Sequence, residues 1–421
     1  MAIAVVGMLD EREEGLTLLK NRIERRGHKT ILIDISIGTG VIESSLQPDI
    51  TGDDLVRNSG VDMAGLNRML AMERDKATSI MAESLSNKVE DLYRDGLLDG
   101  IIVVGGATST FISLVALKAL PYAIPKVLIS FAAAMPNYAK RLSEYFGLRD
   151  ITVMHSVVDT VGMNFLVRKL MINGAGAISG MVEEFEPEKK GEKPSVALTE
   201  FNFCEQGAHY VRDLIEKDFN VISFPATGLG EKAAEELVSQ GLFEAFIDLV
   251  PAGFSEFLLG GNRDAGPDRL NAGINQCIPY ILSPCGFEMI SCGPLKRKDE
   301  NDPLWVSRNL AERKLFIQDG IRVQARTAPE EMQTIARATA EKLNKGKNKK
   351  LIKFIIPKKG FSSVSMEGGA LYDAASDRAF IEELISHADP EVEIIEVEAH
   401  INTKEFARAV EDALNQIMKL S

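Results

Sequence analysis

The chain has 421 residues, of which 45% are hydrophobic and 26% charged, a length that exceeds one ordinary core and predicts two domains or three. Its formal net charge of −13 argues against a nucleic-acid partner, because neutralising phosphates needs a basic face. No apolar run approaches the ~20 residues of a membrane helix.

Short apolar runs alternate with helical patterns along the chain. The first run, Ala2 to Val6, is followed by Asp10-Glu11-Arg12-Glu13-Glu14, so it reads as a strand rather than a secretion leader. Asp10 is placed to cap the next helix, with Glu13 in capping-box position and Gly27 closing it. Further strands are expected at 30–35, 100–104, 126–130 and 151–154, with a long helix over 76–96. The segment from Glu183 to Pro194 is charged and contains Pro and Gly, which predicts a linker over 187–194 between domains 1–186 and 195–421. Strands then recur at 195–199, 220–224, 245–250, 279–283, 321–326, 352–357 and 391–398, with helices at 329–343 and 403–418. Uninterrupted apolar strands between helices predict an α/β fold: two Rossmann-like domains with mostly parallel sheets. The basic run from Lys345 to Lys353 reads as a solvated loop before a strand. Cys204, Cys277, Cys285 and Cys292 have no C-x-x-C spacing, which predicts reduced thiols in a cytoplasmic protein.

The motifs fall where such sheets bind ligands, at the carboxyl ends of strands. Residues 100–110 read GIIVVGGATST, a strand entering a Gly-Gly turn and then a helix. Such a turn aims amides at an anion, with Gly105, Gly106 and Thr108 as contacts; tight strand–helix packing is the alternative. No Lys follows, so this is not a P-loop, and Gly7-Met8-Leu9-Asp10 is not a dinucleotide fingerprint. Asp34 ends the second strand, where a ribose-binding acid or a turn aspartate would sit. A second turn supplies Thr227, Gly228 and Gly230. In the loop 260–270, Arg263 and Arg269 could clamp a phosphate or carboxylate, while Asp264 and Asp268 could brace them or ligate a metal; a structural salt-bridge knot is the alternative. His155 and Asp159, four residues apart, would share a helical face and could pair beside Ser156, unless they only start a capped helix. His400 follows the last strand, as an acid–base candidate or a helix cap.

The ordered motifs resemble a known family, the N-terminal ATP-binding region of the tomato mosaic virus resistance protein and its bacterial relatives of unassigned function. The resemblance covers essentially the whole chain. It is carried by Ser156-Val157-Val158-Asp159 through Gly162-Met163-Asn164, Asn173-Gly174-Ala175-Gly176-Ala177-Ile178, Ala226-Thr227-Gly228, Ala265-Gly266-Pro267-Asp268-Arg269-Leu270 and His400-Ile401-Asn402. Where the family has Gly-Gly-Ser-Gly-Gly-Thr, this chain has Gly105-Gly106-Ala107-Thr108-Ser109-Thr110, and Asp10-Glu11-Arg12 replaces Asp-Thr-Lys.

The resemblance implies a homodimer and a nucleotide ligand, ATP or a related phosphorylated metabolite. The expected position is a cleft between the two domains, with Mg²⁺ as an accompanying ion on Asp264 or Asp268. Two other function classes fit the residues. One is a hydrolase or lyase acting on a small carboxylic acid through His155, Asp159 and His400. The other is a protein-interaction scaffold with a degenerate site.

Overall fold

The structure, a computed structural model, describes residues 1–38, 44–186 and 193–419. The chain divides into two compact units, Met1–Glu188 and Lys189–Ser421. The expected linker 187–194 lies outside the described residues except for Lys193 and Pro194.

In the first unit, β1 (Ala2–Gly7), β2 (Lys29–Asp34), β3 (Gly100–Gly105), β4 (Lys126–Ser130) and β5 (Thr152–His155) form one parallel sheet in the order β2-β1-β3-β4-β5. Strands β3 and β4 are buried along their whole length, as a sheet covered on both faces requires. Alternate residues serve opposite cores. Val5, Ile102 and Ile129 pack with Leu16, Leu19, Val167 and Met171 from helices Leu9–Glu24 and Phe165–Glu183. Val6, Val103 and Leu128 pack with Met81, Leu85 and Ile112 from helices Arg74–Arg94 and Ala107–Ala119. Burying each such side chain contributes roughly 1.5–3 kcal/mol.

The second unit contains β6 (Ser195–Glu200), β7 (Asn220–Pro225), β8 (Ala245–Asp248), β9 (Tyr280–Leu282), β10 (Met289–Ser291), β11 (Leu315–Ile317), β12 (Val323–Arg326), β13 (Ile352–Pro357) and β14 (Glu393–Val397). Six of them make a parallel sheet, β14-β13-β9-β8-β6-β7. The other three make a small antiparallel sheet, β10-β12-β11. Both large sheets are parallel and Rossmann-like, as the alternating pattern predicts.

Three local expectations differ from the structure. The first helix starts at Leu9, with Met8 rather than Asp10 at its cap. Glu13 does not complete a capping box; its carboxylate accepts from the backbone of Ser45 and the hydroxyl of Ser44. His155 and Asp159 do not share a helical face, because His155 ends β5, Val157 sits at φ 63°, and the helix starts only at Phe165. The strand at 321–326 shortens to β12 and joins the antiparallel sheet instead of the parallel one.

No helix among the described residues is long and apolar enough to cross a membrane.

Candidate functional site

In the first sheet β1 and β3 are neighbours, and the helices that follow them pack on opposite faces, which makes the carboxyl ends of these two strands the switch point where such sheets bind ligands. Strand β3 ends at Gly105, and Gly106 is the N-cap of helix Ala107–Ala119, which has no side-chain cap. A Cβ on Gly105 would lie 2.2 Å from Ser109 Cβ, so this glycine is what allows strand and helix to meet. A Cβ on Gly106 would lie 3.3 Å from Arg12 Nη2. The Arg12 guanidinium therefore rests against the first turn of the helix.

Arg12 is only 4% exposed. Its Nε donates to the buried Thr160 hydroxyl at 2.8 Å, its Nη1 to Glu11, and its Nη2 to Asp159 at 3.3 Å. Both carboxylate partners are largely in solvent, where such pairs contribute little. A second cation arrives from helix Arg74–Arg94, with Arg74 Nη2 donating to Thr108 Oγ1 at 3.4 Å. Two guanidinium groups thus stand at the positive end of a 13-residue helix, an arrangement its dipole opposes and a bound anion would relieve.

Beside them, Asp34 accepts from the backbone amides of Leu9 at 3.2 Å and Ser36 at 2.9 Å, which makes it the turn aspartate of the two alternatives. Burial pushes the Asp10 carboxyl above its ordinary value, with a hydrogen bond from Ser36 opposing and the charges of Glu11 and Asp34 adding. His155 is exposed and its Nδ1 faces the Ser130 carbonyl at 3.3 Å. Asp159 belongs to Arg12 rather than to His155.

In the second unit the expected anion contacts are engaged by carboxylates. Gly228, at φ 85°, donates its amide to Glu231 at 3.0 Å, and this wholly buried carboxylate occupies the N-terminus of helix Leu229–Ser239. Gly230 packs so closely that a Cβ would fall 2.0 Å from the Pro225 carbonyl oxygen. Thr227 is exposed, and its amide donates to Pro225. Arg269 is fully buried, with Nη2 donating to Asp248 at 2.6 Å, Nη1 to Glu235 at 2.7 Å and Nε to Glu231 at 3.2 Å. Burial raises the carboxyls of Glu231 and Glu235, while the Arg269 charge pulls them back. Arg263 donates twice to the buried Glu256, at 2.9 and 2.6 Å, and stacks over Phe201 at 5.3 Å. The loop 260–270 is thus the salt-bridge knot of the two alternatives, with both arginines directed at protein carboxylates.

Asp264 and Asp268 are exposed, accepting from Gly266 and Asn271 of their own loop. Among the described residues no group of three His, Cys, Asp or Glu could hold a metal ion. His400 is half-buried, with Nε2 facing the Ser362 carbonyl at 3.1 Å and Nδ1 accepting from the Asn402 amide. Nε2 therefore carries the proton, and burial lowers the imidazole below its ordinary value.

Two family models cover the chain: the N-terminal domain of the uncharacterised protein family UPF0261 matches residues 1–187, and its C-terminal domain matches 193–418. The chain belongs to the UPF0261 family. A UPF0261 protein of Clostridium tetani is 31% identical over 99% of both chains. A UPF0261 protein of Rhizobium meliloti is 28% identical over 99% of this chain and 98% of its own. The ToMV resistance protein Tm-1(GCR237) of Solanum lycopersicum is 28% identical over 82% of this chain and 45% of that protein, so it is a partial homologue. Neither the UPF0261 descriptions nor these names specify a ligand, so ATP binding has no support from them.

Sequence reasoning finds Gly105, Gly106 and Thr108 but not the two cations beside them. Arg12 is noticed only as a replacement for the family's Lys, and Arg74 lies in a helix whose pattern reports only its amphipathic period.

Proposed function

We propose that this UPF0261 protein binds a phosphorylated small molecule, a nucleotide such as ATP first, at the carboxyl ends of β1 and β3. The observation that supports this reading is the buried Arg12 guanidinium against Gly106 at the uncapped start of helix Ala107–Ala119. A positive side chain at that end costs stability unless negative charge joins it. The partners that now share its charge, Glu11 and Asp159, are exposed and can yield to a phosphate. Gly106 leaves room for the Arg12 guanidinium and the Phe131 ring beside the turn, Arg12 and Arg74 neutralise the ligand, and the Thr108 hydroxyl adds a donor.

Isothermal titration with ATP, ADP and inorganic pyrophosphate tests this. Arg12→Gln removes a charged contact of ~1.5–3 kcal/mol, so affinity falls roughly tenfold or more. Gly106→Val pushes the Arg12 guanidinium and the Phe131 ring away from the turn and weakens binding at least as much. ATP affinity that survives both substitutions in a folded protein would falsify the reading.

A further inference from the structure

The antiparallel sheet carries a partly satisfied polar cluster, and the loop 260–270 adjoins it through the Asn262 amide, which donates to the Ser291 carbonyl opposite Gln324 at 2.8 Å. Arg326, at the end of β12, is 4% exposed. Its Nη2 donates to Asp377 at 2.6 Å and to the Asp373 carbonyl at 3.2 Å. Its Nε and Nη1 are buried and have no hydrogen-bond partner. Gln324, 5% exposed, is two residues back and so on the same face of the strand, and its Oε1 is also unpartnered. Glu288 is wholly buried, and its carboxylate lies close enough to Arg326 and Asp377 for both of their charges to act on it. One carboxylate oxygen accepts from the Gly286 amide at 2.7 Å, whereas Oε1 accepts no well-aligned hydrogen bond. Burial raises this carboxyl, with Ser362 and the Arg326 charge opposing.

Arg326 and Gln324 thus leave unpaired donors and an unpaired acceptor on one face of β12, with the Glu288 carboxylate, which Gly286 and Ser362 only partly satisfy, within reach of the Arg326 charge. Native cores rarely leave such groups orphaned, because each costs the full desolvation of the group. Their chemistry is specific. Arg326 offers three N–H donors, suited to the oxygens of an anion, while Gln324 and Glu288 offer acceptors, suited to a hydroxyl or ammonium. Apolar neighbours complete the wall. Met289 faces Arg326, and Phe316 faces Gln324, across the antiparallel ladder, and both belong to one small apolar cluster. A few convergent polar groups in an apolar setting are the general form of a small-molecule site.

We propose that Arg326, Gln324 and Glu288 form a binding site for a small organic acid that carries a hydroxyl or ammonium group beside its carboxylate. The guanidinium holds the carboxylate, the two acceptors hold the neighbouring group, and Met289 and Phe316 lie against the carbon skeleton.

The test is a thermal-shift and calorimetric titration of the full chain with glycolate, L-lactate, L-malate and L-alanine, with propionate as the analogue lacking the second group. A saturable rise in Tm is expected for at least one of the four, and a smaller one for propionate. Gln324→Leu keeps the volume and leaves the Arg326–Asp377 pair in place, so it reports binding without breaking the fold. It is expected to lower affinity several-fold, and Arg326→Lys roughly tenfold or more. Arg12→Gln leaves this response unchanged, which separates it from phosphate binding in the first unit. No saturable shift with any of the four at millimolar concentration overturns the proposal. So does a shift that folded Gln324→Leu retains in full, because the acid would then be bound elsewhere.

Discussion

Arg269 shows how one residue type serves opposite ends. The spacing of arginines and aspartates in the loop 260–270 is compatible with an anion clamp and with a knot of ion pairs, and only the three-dimensional positions of Glu231, Glu235 and Asp248 decide between them. These partners lie on a helix and a strand far from the loop in sequence, so local spacing carries no trace of them. Replacing Arg269 by Met would leave three carboxylates in the interior with no cation, a loss of ~3–5 kcal/mol expected in urea denaturation. The pH dependence follows from the carboxyls. Glu231 and Glu235 already have folded values above their unfolded ones, because of burial. Removing the arginine charge raises them further. A group raised in this way stabilises the fold when protonated and loses that contribution as pH rises through its folded value. The deficit of Arg269→Met is therefore expected to shrink as pH falls from neutral toward the carboxylate range. A deficit independent of pH would show that the cavity, not the uncompensated charge, sets its size.

At the scale of elements, the strands of the large sheets are readable because continuous burial leaves long apolar runs: the expected 126–130 and 352–357 coincide with β4 and β13. Strands β10 and β11 are three residues each, too short to display any period, so the antiparallel sheet goes unread. Helix Phe165–Glu183 illustrates a finer distinction. Gly174 and Gly176 look alike in sequence, yet a Cβ on Gly174 would lie 2.5 Å from Ile129 Cδ1, whereas one on Gly176 meets nothing within 4 Å. Gly174→Val is accordingly expected to destabilise by ~1–3 kcal/mol through overpacking against β4. Gly176→Ala is expected to be neutral or stabilising by up to ~1 kcal/mol, since alanine favours the helix. Melting temperatures of the two variants check this, and equal shifts would contradict the close approach at Gly174.

At the scale of the whole molecule, each unit has its own parallel sheet and cores, and the two glycine turns have unlike electrostatics. The turn at Gly105–Gly106 faces guanidinium groups, while the turn at Gly228–Gly230 is capped by Glu231. Glycine content marks both turns equally, so the difference is invisible without the buried partners. Hydrogen exchange with and without ATP is expected to slow the amides of 8–12 and 106–110 and to leave those of 227–230 unchanged. Protection at 227–230 would show that phosphate displaces Glu231 from its helix.

The Arg269 contacts also bear on how the chain assembles. Helix Leu229–Ser239, β8 and the segment around residue 269 must all be in place before all of these charges are compensated. The loop is then held by a helix and a strand at once, and frees its arginine only when both let go. Its amides should consequently open on the timescale of global unfolding, so that a stretch rich in glycine and proline behaves kinetically like the sheet interior.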